Sequence, residues 1–270
     1  MYKIAVAQFC SNDSIPDNLD LASELIGQAS AEGAEAVFLP ECFGLMQTSR
    51  QQLYDSAEQA GKGPIQEVIS YAAKQHEITV FAGTLPIRSE DPKRVFNSSI
   101  VYGTCGEELA RYDKIHLFDV QLGNGEQYFE SDYTMPGAET VIVECSLGKV
   151  GLSVCYDLRF PELYRILVNK GAQILVVPSA FSSTTGPAHW HTLLRARAIE
   201  NFCYVVASAQ EGTHPSGRKT YGHTLVVDPW GRVIAEKQSG TGLLMAEIDL
   251  KRVEQARKEI PSLEHRKPIS

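Results

Sequence analysis

Gly33-Ala34-Glu35-Ala36-Val37-Phe38-Leu39-Pro40 reads as a helix-stopping glycine, a short buried strand and a closing proline. Ahead of it, Asn18 to Ala34 carries Leu19, Ala22, Leu25, Ile26 and Ala29 at helical spacing, and Met1-Tyr2-Lys3-Ile4-Ala5-Val6-Ala7-Gln8 reads as a strand. Strand, amphipathic helix and buried strand in succession open a βαβ unit, which makes the chain an α/β protein from its start. The same pattern returns at Gly171-Ala172-Gln173-Ile174-Leu175-Val176-Val177-Pro178. Two readings fit the echo: two helix-to-strand connections that solved one geometric problem alike, or a two-sheet sandwich built from related halves.

The alternation continues outward from there. Pro64 opens a second amphipathic helix through Ile65, Val68, Ile69 and Ala72, and Ile78-Thr79-Val80-Phe81-Ala82 supplies a strand bounded by Gly83. Further strands are expected at 97–103, 108–112, 140–144, 149–154, 173–178, 203–209, 222–228, 231–236 and 242–248, and helices at 161–170, 188–202 and 250–259. Asp228-Pro229-Trp230-Gly231 has the proline and glycine of a tight turn, so its flanking strands should pair as a hairpin. With no Gly/Ser-rich or charged linker dividing the chain, a single layered α/β domain is expected.

The 270 residues are 43% hydrophobic and 21% charged, enough apolar content for a large core, which excludes a disordered chain and a disulfide-stapled miniprotein. Lys plus Arg number 25 against 33 Asp plus Glu, and a formal charge of −8 argues against nucleic acid or an anionic membrane as partner. No apolar run of about 18 residues is present to span a bilayer, and the first strand lacks a signal peptide's apolar stretch, so a cytoplasmic protein is expected. Cys10, Cys42, Cys105, Cys145, Cys155 and Cys203 form no Cys-x-x-Cys pair and no cluster with histidine. A zinc site therefore has little support; the thiols should be reduced, and most should be small buried residues.

Val150-Gly151-Leu152-Ser153-Val154 is an apolar strand that stops at Cys155-Tyr156-Asp157, ahead of Arg159-Phe160-Pro161-Glu162 at a helix start. A nucleophile at such a corner stands above the sheet edge, where backbone N–H groups can receive an oxyanion. The alternative, a buried structural cysteine, is weakened by the polar setting of Tyr156, Asp157 and Arg159. Glu41 follows Leu39-Pro40 at the end of a buried strand, where open α/β sheets place their ligands, and reads as a base or as a salt-bridged rim residue. Lys114 enters an apolar segment in Arg111-Tyr112-Asp113-Lys114-Ile115-His116-Leu117-Phe118, or else snorkels at the surface. Spacing alone does not bring these three together.

Phe38-Leu39-Pro40-Glu41, Tyr112-Asp113-Lys114-Ile115-His116-Leu117 and Gly151-Leu152-Ser153-Val154-Cys155-Tyr156-Asp157-Leu158-Arg159-Phe160-Pro161-Glu162 resemble, in order, the three signatures of the nitrilase (carbon-nitrogen hydrolase) superfamily. The likeness runs from the first strand to about Lys267. Ser179-Ala180-Phe181, Thr185-Gly186-Pro187-Ala188-His189-Trp190, Arg195-Ala196-Arg197-Ala198-Ile199-Glu200, Tyr221-Gly222-His223 and Val226-Val227-Asp228-Pro229-Trp230-Gly231 carry a closer resemblance to its Nit branch, which comprises deaminated glutathione amidases and ω-amidases. The stretch from Ile199 to Ala207 and the tail from Ile260 to Arg266 resemble the former more than the latter.

The resemblance implies a four-layer α-β-β-α sandwich over residues 1–270, one carbon-nitrogen hydrolase domain. It also implies a homodimer, with helices near Cys155 and the tail of about 250–270 in the interface. It maps the family's catalytic residues onto Glu41, Lys114 and Cys155, and a second carboxylate onto Glu130 in Gln127-Tyr128-Phe129-Glu130-Ser131, with Glu126 as the neighbour most readily mistaken for it. In the implied mechanism Cys155 forms a thioester, Glu41 moves protons, and the Lys114 ammonium and the Tyr156 backbone N–H hold the oxyanion. Glu130 keeps Lys114 charged.

In related carbamoylases an arginine at the place of Arg159 binds a substrate carboxylate; here Arg159 could instead pair with Glu162 in the helix cap. The implied chemistry calls for no metal and no cofactor, so His189 and His191, flanking Trp190, are not expected to form a metal pair. The implied activity is thiol-dependent hydrolysis of deaminated glutathione to 2-oxoglutarate and Cys-Gly, with a small-molecule amide as the partner. ω-Amidase action on 2-oxoglutaramate or another small carboxylate amide is the rival enzyme, and a pseudoenzyme scaffold the rival outside catalysis.

Overall fold

A computed structural model describes residues 1–123 and 125–267. In its first half, β1 (Tyr2–Gln8), β2 (Ala36–Phe38) and β3 (Thr79–Arg88) lie side by side in parallel, connected through α1 (Ile15–Ala31), α2 (Arg50–Ser56) and α3 (Pro64–Gln75). β4 (Val95–Tyr102) and β5 (Glu108–Asp113) extend the sheet as an antiparallel meander. A small ribbon, β6 (Asp119–Gln121) with β7 (Gln127–Phe129), precedes the second half.

There, β8 (Ile142–Cys145) and β9 (Gly148–Leu152) form an antiparallel pair, and β9 is followed by α4 (Pro161–Asn169), β10 (Ile174–Val176), α5 (Gly186–Asn201) and β11 (Tyr204–Ala207), with β9, β10 and β11 parallel. After a second ribbon, β12 (Glu211–Thr213) with β13 (Lys219–Tyr221), strands β14 (Thr224–Val227) and β15 (Val233–Lys237) complete an antiparallel edge. β16 (Gly242–Ile248) returns to pair with β1, and α6 (Leu250–Glu259) follows.

The two six-stranded sheets therefore run β16-β1-β2-β3-β4-β5 and β15-β14-β11-β10-β9-β8. Each has three adjacent parallel strands, a meander on one flank and one antiparallel strand on the other. The echoed segments are the middle parallel strands, β2 and β10, so the repeat in sequence marks equivalent places in two related half-structures. Alternation then sorts the side chains. Ile4, Val6, Phe38 and Phe81 share one core with Val150, Leu152 and Val206 between the sheets, while Ala5, Ala7, Val37 and Val80 pack with Leu25, Ile26 and Ile69 of α1 and α3. α4 and α5 cover the other sheet through Leu163, Leu167, Trp190 and Leu194, giving the helix-sheet-sheet-helix order. Phe38 stacks on Phe81 with ring centroids 4.4 Å apart, a contact worth about 1 kcal/mol beyond its buried area.

Some boundaries differ from the sequence reading for physical reasons. α1 begins at Ile15 because the Ser14 side chain accepts the Asp17 N–H; its first turn is a surface turn with little apolar periodicity. β3 runs through Gly83 to Arg88. The glycine marks a bulge: a Cβ there would lie 1.9 Å from the Pro40 carbonyl oxygen, and pairing with β4 resumes at Leu85 and Ser98. α2 and the two ribbons have too few residues to show a period. The Asp228–Gly231 turn closes as expected, Gly231 N–H donating to Asp228 C=O at 2.9 Å with Gly231 at φ +81°. The cysteines depart from the expectation: Cys155 and Cys203 are buried, Cys105 is exposed, and Cys10, Cys42 and Cys145 are half-buried, since the last four sit in loops or at strand ends. Among the described residues no helix is long and apolar enough to cross a membrane.

Candidate active site

The C-terminal ends of the parallel strands deliver the polar residues. Glu41 lies three residues beyond β2, Cys155 three beyond β9, and Ala180 four beyond β10. Cys155 opens a 3₁₀ turn, Cys155–Arg159, with φ +47°, a left-handed conformation costing roughly 1–2 kcal/mol for a residue with a side chain. Asp157, fully buried, holds the corner: its carboxylate accepts the Val154 N–H at 2.8 Å, the Tyr112 hydroxyl at 2.7 Å and the His116 N–H at 3.0 Å. Cys155 N–H donates to Pro178 C=O at 3.0 Å, tying the turn to the end of the neighbouring strand.

Lys114, the first residue after β5, is 2% exposed and points between two carboxylates. Its Nζ lies 2.9 Å from Glu41 Oε1 and 2.9 Å from Glu130 Oε2. Each carboxylate has further donors. Ala180 N–H reaches Glu41 Oε2 at 2.8 Å, Phe118 N–H reaches Glu130 Oε2 at 2.7 Å, and Asn97 Nδ2 bridges Glu41 Oε1 at 3.1 Å and Glu130 Oε1 at 3.4 Å.

Burial opposes charge on all of these groups, and their neighbours decide the outcome. Burial alone would raise the Glu41 carboxyl, but the charges of Lys114 and Arg218, with the hydrogen bond from Lys114, hold it below the usual carboxylate range. Burial would depress Lys114, yet Glu130 and Glu41 keep it firmly protonated. The Cys155 thiol, in the same cavity as Glu41, is pushed up by burial and by that carboxylate's charge. The resting state is a neutral thiol against an ionised carboxylate and a charged ammonium. Cys42 shares the cavity and is pushed up to about 12 by burial and by Glu41.

Glu41, Lys114, Cys155 and Glu130 line one cavity, together with Tyr156 and Arg159. Phe118 meets Tyr128 and Tyr156 with centroids 5.0 and 5.1 Å apart, giving that cavity an aromatic wall. Arg159 lies over the Tyr156 and Phe181 rings, at 5.8 and 5.4 Å, and its Nη1 is 3.2 Å from His189 Nδ1. The alternative helix-cap ion pair with Glu162 is not formed among the described residues. Glu126, the near neighbour of Glu130, bonds instead to Thr184 at 2.6 Å and Tyr128 at 3.1 Å.

The sequence matches the carbon-nitrogen hydrolase family over residues 3–258. The chain belongs to this family. It is 41% identical over 268 residues to the deaminated glutathione amidase of Synechocystis sp., covering 98% of both chains, and 41% identical over 269 residues to that of Homo sapiens, covering 98% of this chain and 82% of the human one. Its fold is similar to the crystal structure of the C. elegans NitFhit protein, with a TM-score of 0.92 and 40% identity. That match covers 98% of this chain and 65% of the NitFhit chain.

For a carbon-nitrogen hydrolase the three sequence signatures are thus brought to one point, with Glu130 on the far side of Lys114. Sequence reasoning missed Asn97, which ties the two carboxylates together, and Arg218, which lines the cavity from the loop before β13. Asn97 had a signal of sorts, a polar residue on a strand whose later residues Ile100 and Val101 are buried; Arg218 had none, because it is carried by a ribbon that only the fold brings back to the site.

The described residues contain one group with metal-ligand spacing, His191, His223 and Glu236, whose ligand atoms lie within 4.8 Å of one another. His191 Nε2 and His223 Nδ1 both bond to Glu236 Oε1, at 2.9 and 2.6 Å, and none of the three lines the Cys155 cavity. His189 is not part of it.

Proposed function

We propose that this protein is an amidase that hydrolyses deaminated glutathione to 2-oxoglutarate and Cys-Gly through a thioester on Cys155. The observation that carries the reading is the buried Glu41–Lys114–Glu130 array in the cavity that also holds the Cys155 thiol. Membership of an amide-hydrolysing family and identity of about 40% to deaminated glutathione amidases over nearly the whole chain support it.

The chemistry follows from the resting charges. With the thiol raised and Glu41 lowered, the proton does not leave sulfur at rest; it moves to Glu41 as the sulfur attacks the amide carbon. A C–S bond forms while negative charge builds on the carbonyl oxygen, where the Lys114 ammonium and the Tyr156 N–H receive it. Collapse breaks the C–N bond, and Glu41 returns its proton to the departing nitrogen. Water then attacks the thioester, giving a proton to Glu41 and releasing the acid as sulfur is reprotonated. Glu130 anchors the ammonium, and Arg159 at the rim captures the carboxylate of the 2-oxoacyl half, a fork-to-fork contact suited to guanidinium.

We place the enzyme in the cytoplasm, supported by six unpaired cysteines. We also propose a homodimer joined through α4 and α5, with the chain beyond Leu250 contributing. Deaminated glutathione and 2-oxoglutaramate share an acyl half and differ in the leaving amine, so turnover of both on one preparation tests the substrate reading. A higher kcat/KM for deaminated glutathione is expected. Preference for 2-oxoglutaramate would make the protein an ω-amidase.

A further inference from the structure

Arg218 is the second guanidinium of the cavity, and its surroundings leave it underused. It lines the same space as Glu41, Cys155 and Arg159. Of its five N–H donors, the hydrogen bond formed among the described residues is Nη2 to Ala180 C=O at 2.6 Å, and the buried Nε has no partner. A guanidinium in that state is normally matched by a carboxylate, since leaving a buried charged donor unsatisfied is costly. Neither Arg159 nor Arg218 has an ion-pair partner among the described residues. Each is instead braced by aromatic faces, Arg218 with Cζ 5.3 Å from the Tyr128 ring and Arg159 over Tyr156 and Phe181.

The ribbon that carries Arg218 is pinned to the site. Ser183 N–H donates to Lys219 C=O at 3.1 Å, and His214, buried, bonds to Thr220 Oγ1 and Ser11 C=O, both at 2.8 Å. Arg218 also stands on the Glu41 side: it grips the carbonyl of Ala180, whose N–H grips Glu41, and its charge acts on Glu41. Glu41 must face the departing nitrogen to return its proton, so the leaving half lies on that side.

We infer that Arg218 is a second carboxylate anchor, binding the carboxylate of the leaving half while Arg159 binds that of the acyl half, so that the cavity receives an amide flanked by two carboxylates. This rests on the substrate reading above and deepens it. Deaminated glutathione meets the requirement through its 2-oxo acid and its terminal glycine, whereas 2-oxoglutaramate has the first carboxylate alone.

The test uses Arg218→Lys, which keeps the positive charge beside Glu41 but loses the fork. It is paired with a deaminated glutathione whose glycine carboxylate is converted to the amide. The wild type should lose on the order of 30-fold in kcat/KM on that conversion, through KM, and Arg218→Lys should erase most of that difference. The variant's preference for deaminated glutathione over 2-oxoglutaramate should fall by a similar factor. The wild-type comparison of acid and amide stands even if the variant folds poorly. Equal turnover of acid and amide by the wild type, or an equal loss by Arg218→Lys on both substrates, overturns the inference and leaves the substrate reading intact. Failure of the wild type to hydrolyse deaminated glutathione removes both.

Discussion

At the scale of single residues, the candidate site holds opposing shifts on neighbouring groups, Glu41 lowered and Lys114 and Cys155 raised. The proposed mechanism needs Glu41 as a carboxylate, and its lowered pKa extends that form to more acid conditions, so kcat/KM should hold through the ordinary glutamate range and fall only as pH drops below it. An acid limb near pH ~6–7, where a general base is usually poised, would mean that Glu41 is protonated at rest. Alkylation of free Cys155 by iodoacetamide should likewise be slow at neutral pH and accelerate only in strong alkali, because burial and Glu41 keep the thiol protonated. Glu41→Gln removes the proton carrier and should cost on the order of 10⁴ in kcat, whereas Glu130→Gln leaves Lys114 paired with Glu41 and should cost on the order of 10². Equal losses would put Glu130 in the proton transfers. Glu41, Lys114, Cys155 and Glu130 were legible because each sits in a local sequence signature. Asn97 and Arg218 were not, since their chemistry depends on which strand and which loop lie beside them in space.

At the scale of elements, the site depends on how closely β2 and β3 run past each other. Gly83, at φ +29°, lets the Pro40 carbonyl come within what would be 1.9 Å of a Cβ, and Pro40 directly precedes Glu41. Gly83→Ala should therefore destabilise the fold by about 3 kcal/mol, a drop of roughly 6–12 °C in Tm, and should reduce kcat by displacing Glu41. Gly61→Ala is the control. Gly61 also has positive φ, +76°, but open space around the position, so about 1 kcal/mol and unchanged kcat are expected. Similar losses at both positions, read by thermal unfolding and steady-state rates, would remove the close approach as the cause. The same glycine explains a misplaced boundary: in sequence it looks like the end of a strand, and in the sheet it is a bulge through which the strand continues. Amphipathic helices such as α4 and α6 were legible to within one residue at either end, because their apolar spacing and their starts, Pro161 and the Asp249 cap, are local properties.

At the scale of the whole molecule, the repeated octapeptide was the most informative signal for architecture, and it left open whether the two halves were related. The strand order answers this through long-range pairing, which no local pattern encodes. The outer face still carries apolar side chains that the single chain does not cover: Ile166 of α4 is 44% exposed, Ile199 of α5 is 45% exposed, and Trp230 on the neighbouring turn is 47% exposed. A homodimer burying them should appear as a species of twice 29.7 kDa by sedimentation at micromolar concentration, and Ile199→Glu should shift it toward monomer. A monomeric wild type would contradict that assembly. Whether Cys155 is the nucleophile of an amidase is decided by acid-quenching the protein during turnover of deaminated glutathione and mapping its peptides by mass spectrometry. A 2-oxoglutaryl adduct is expected on the Cys155 peptide and none on those of Cys42 or Cys203; an adduct on another residue, or continued product formation by Cys155→Ala, would rule out Cys155 as the nucleophile.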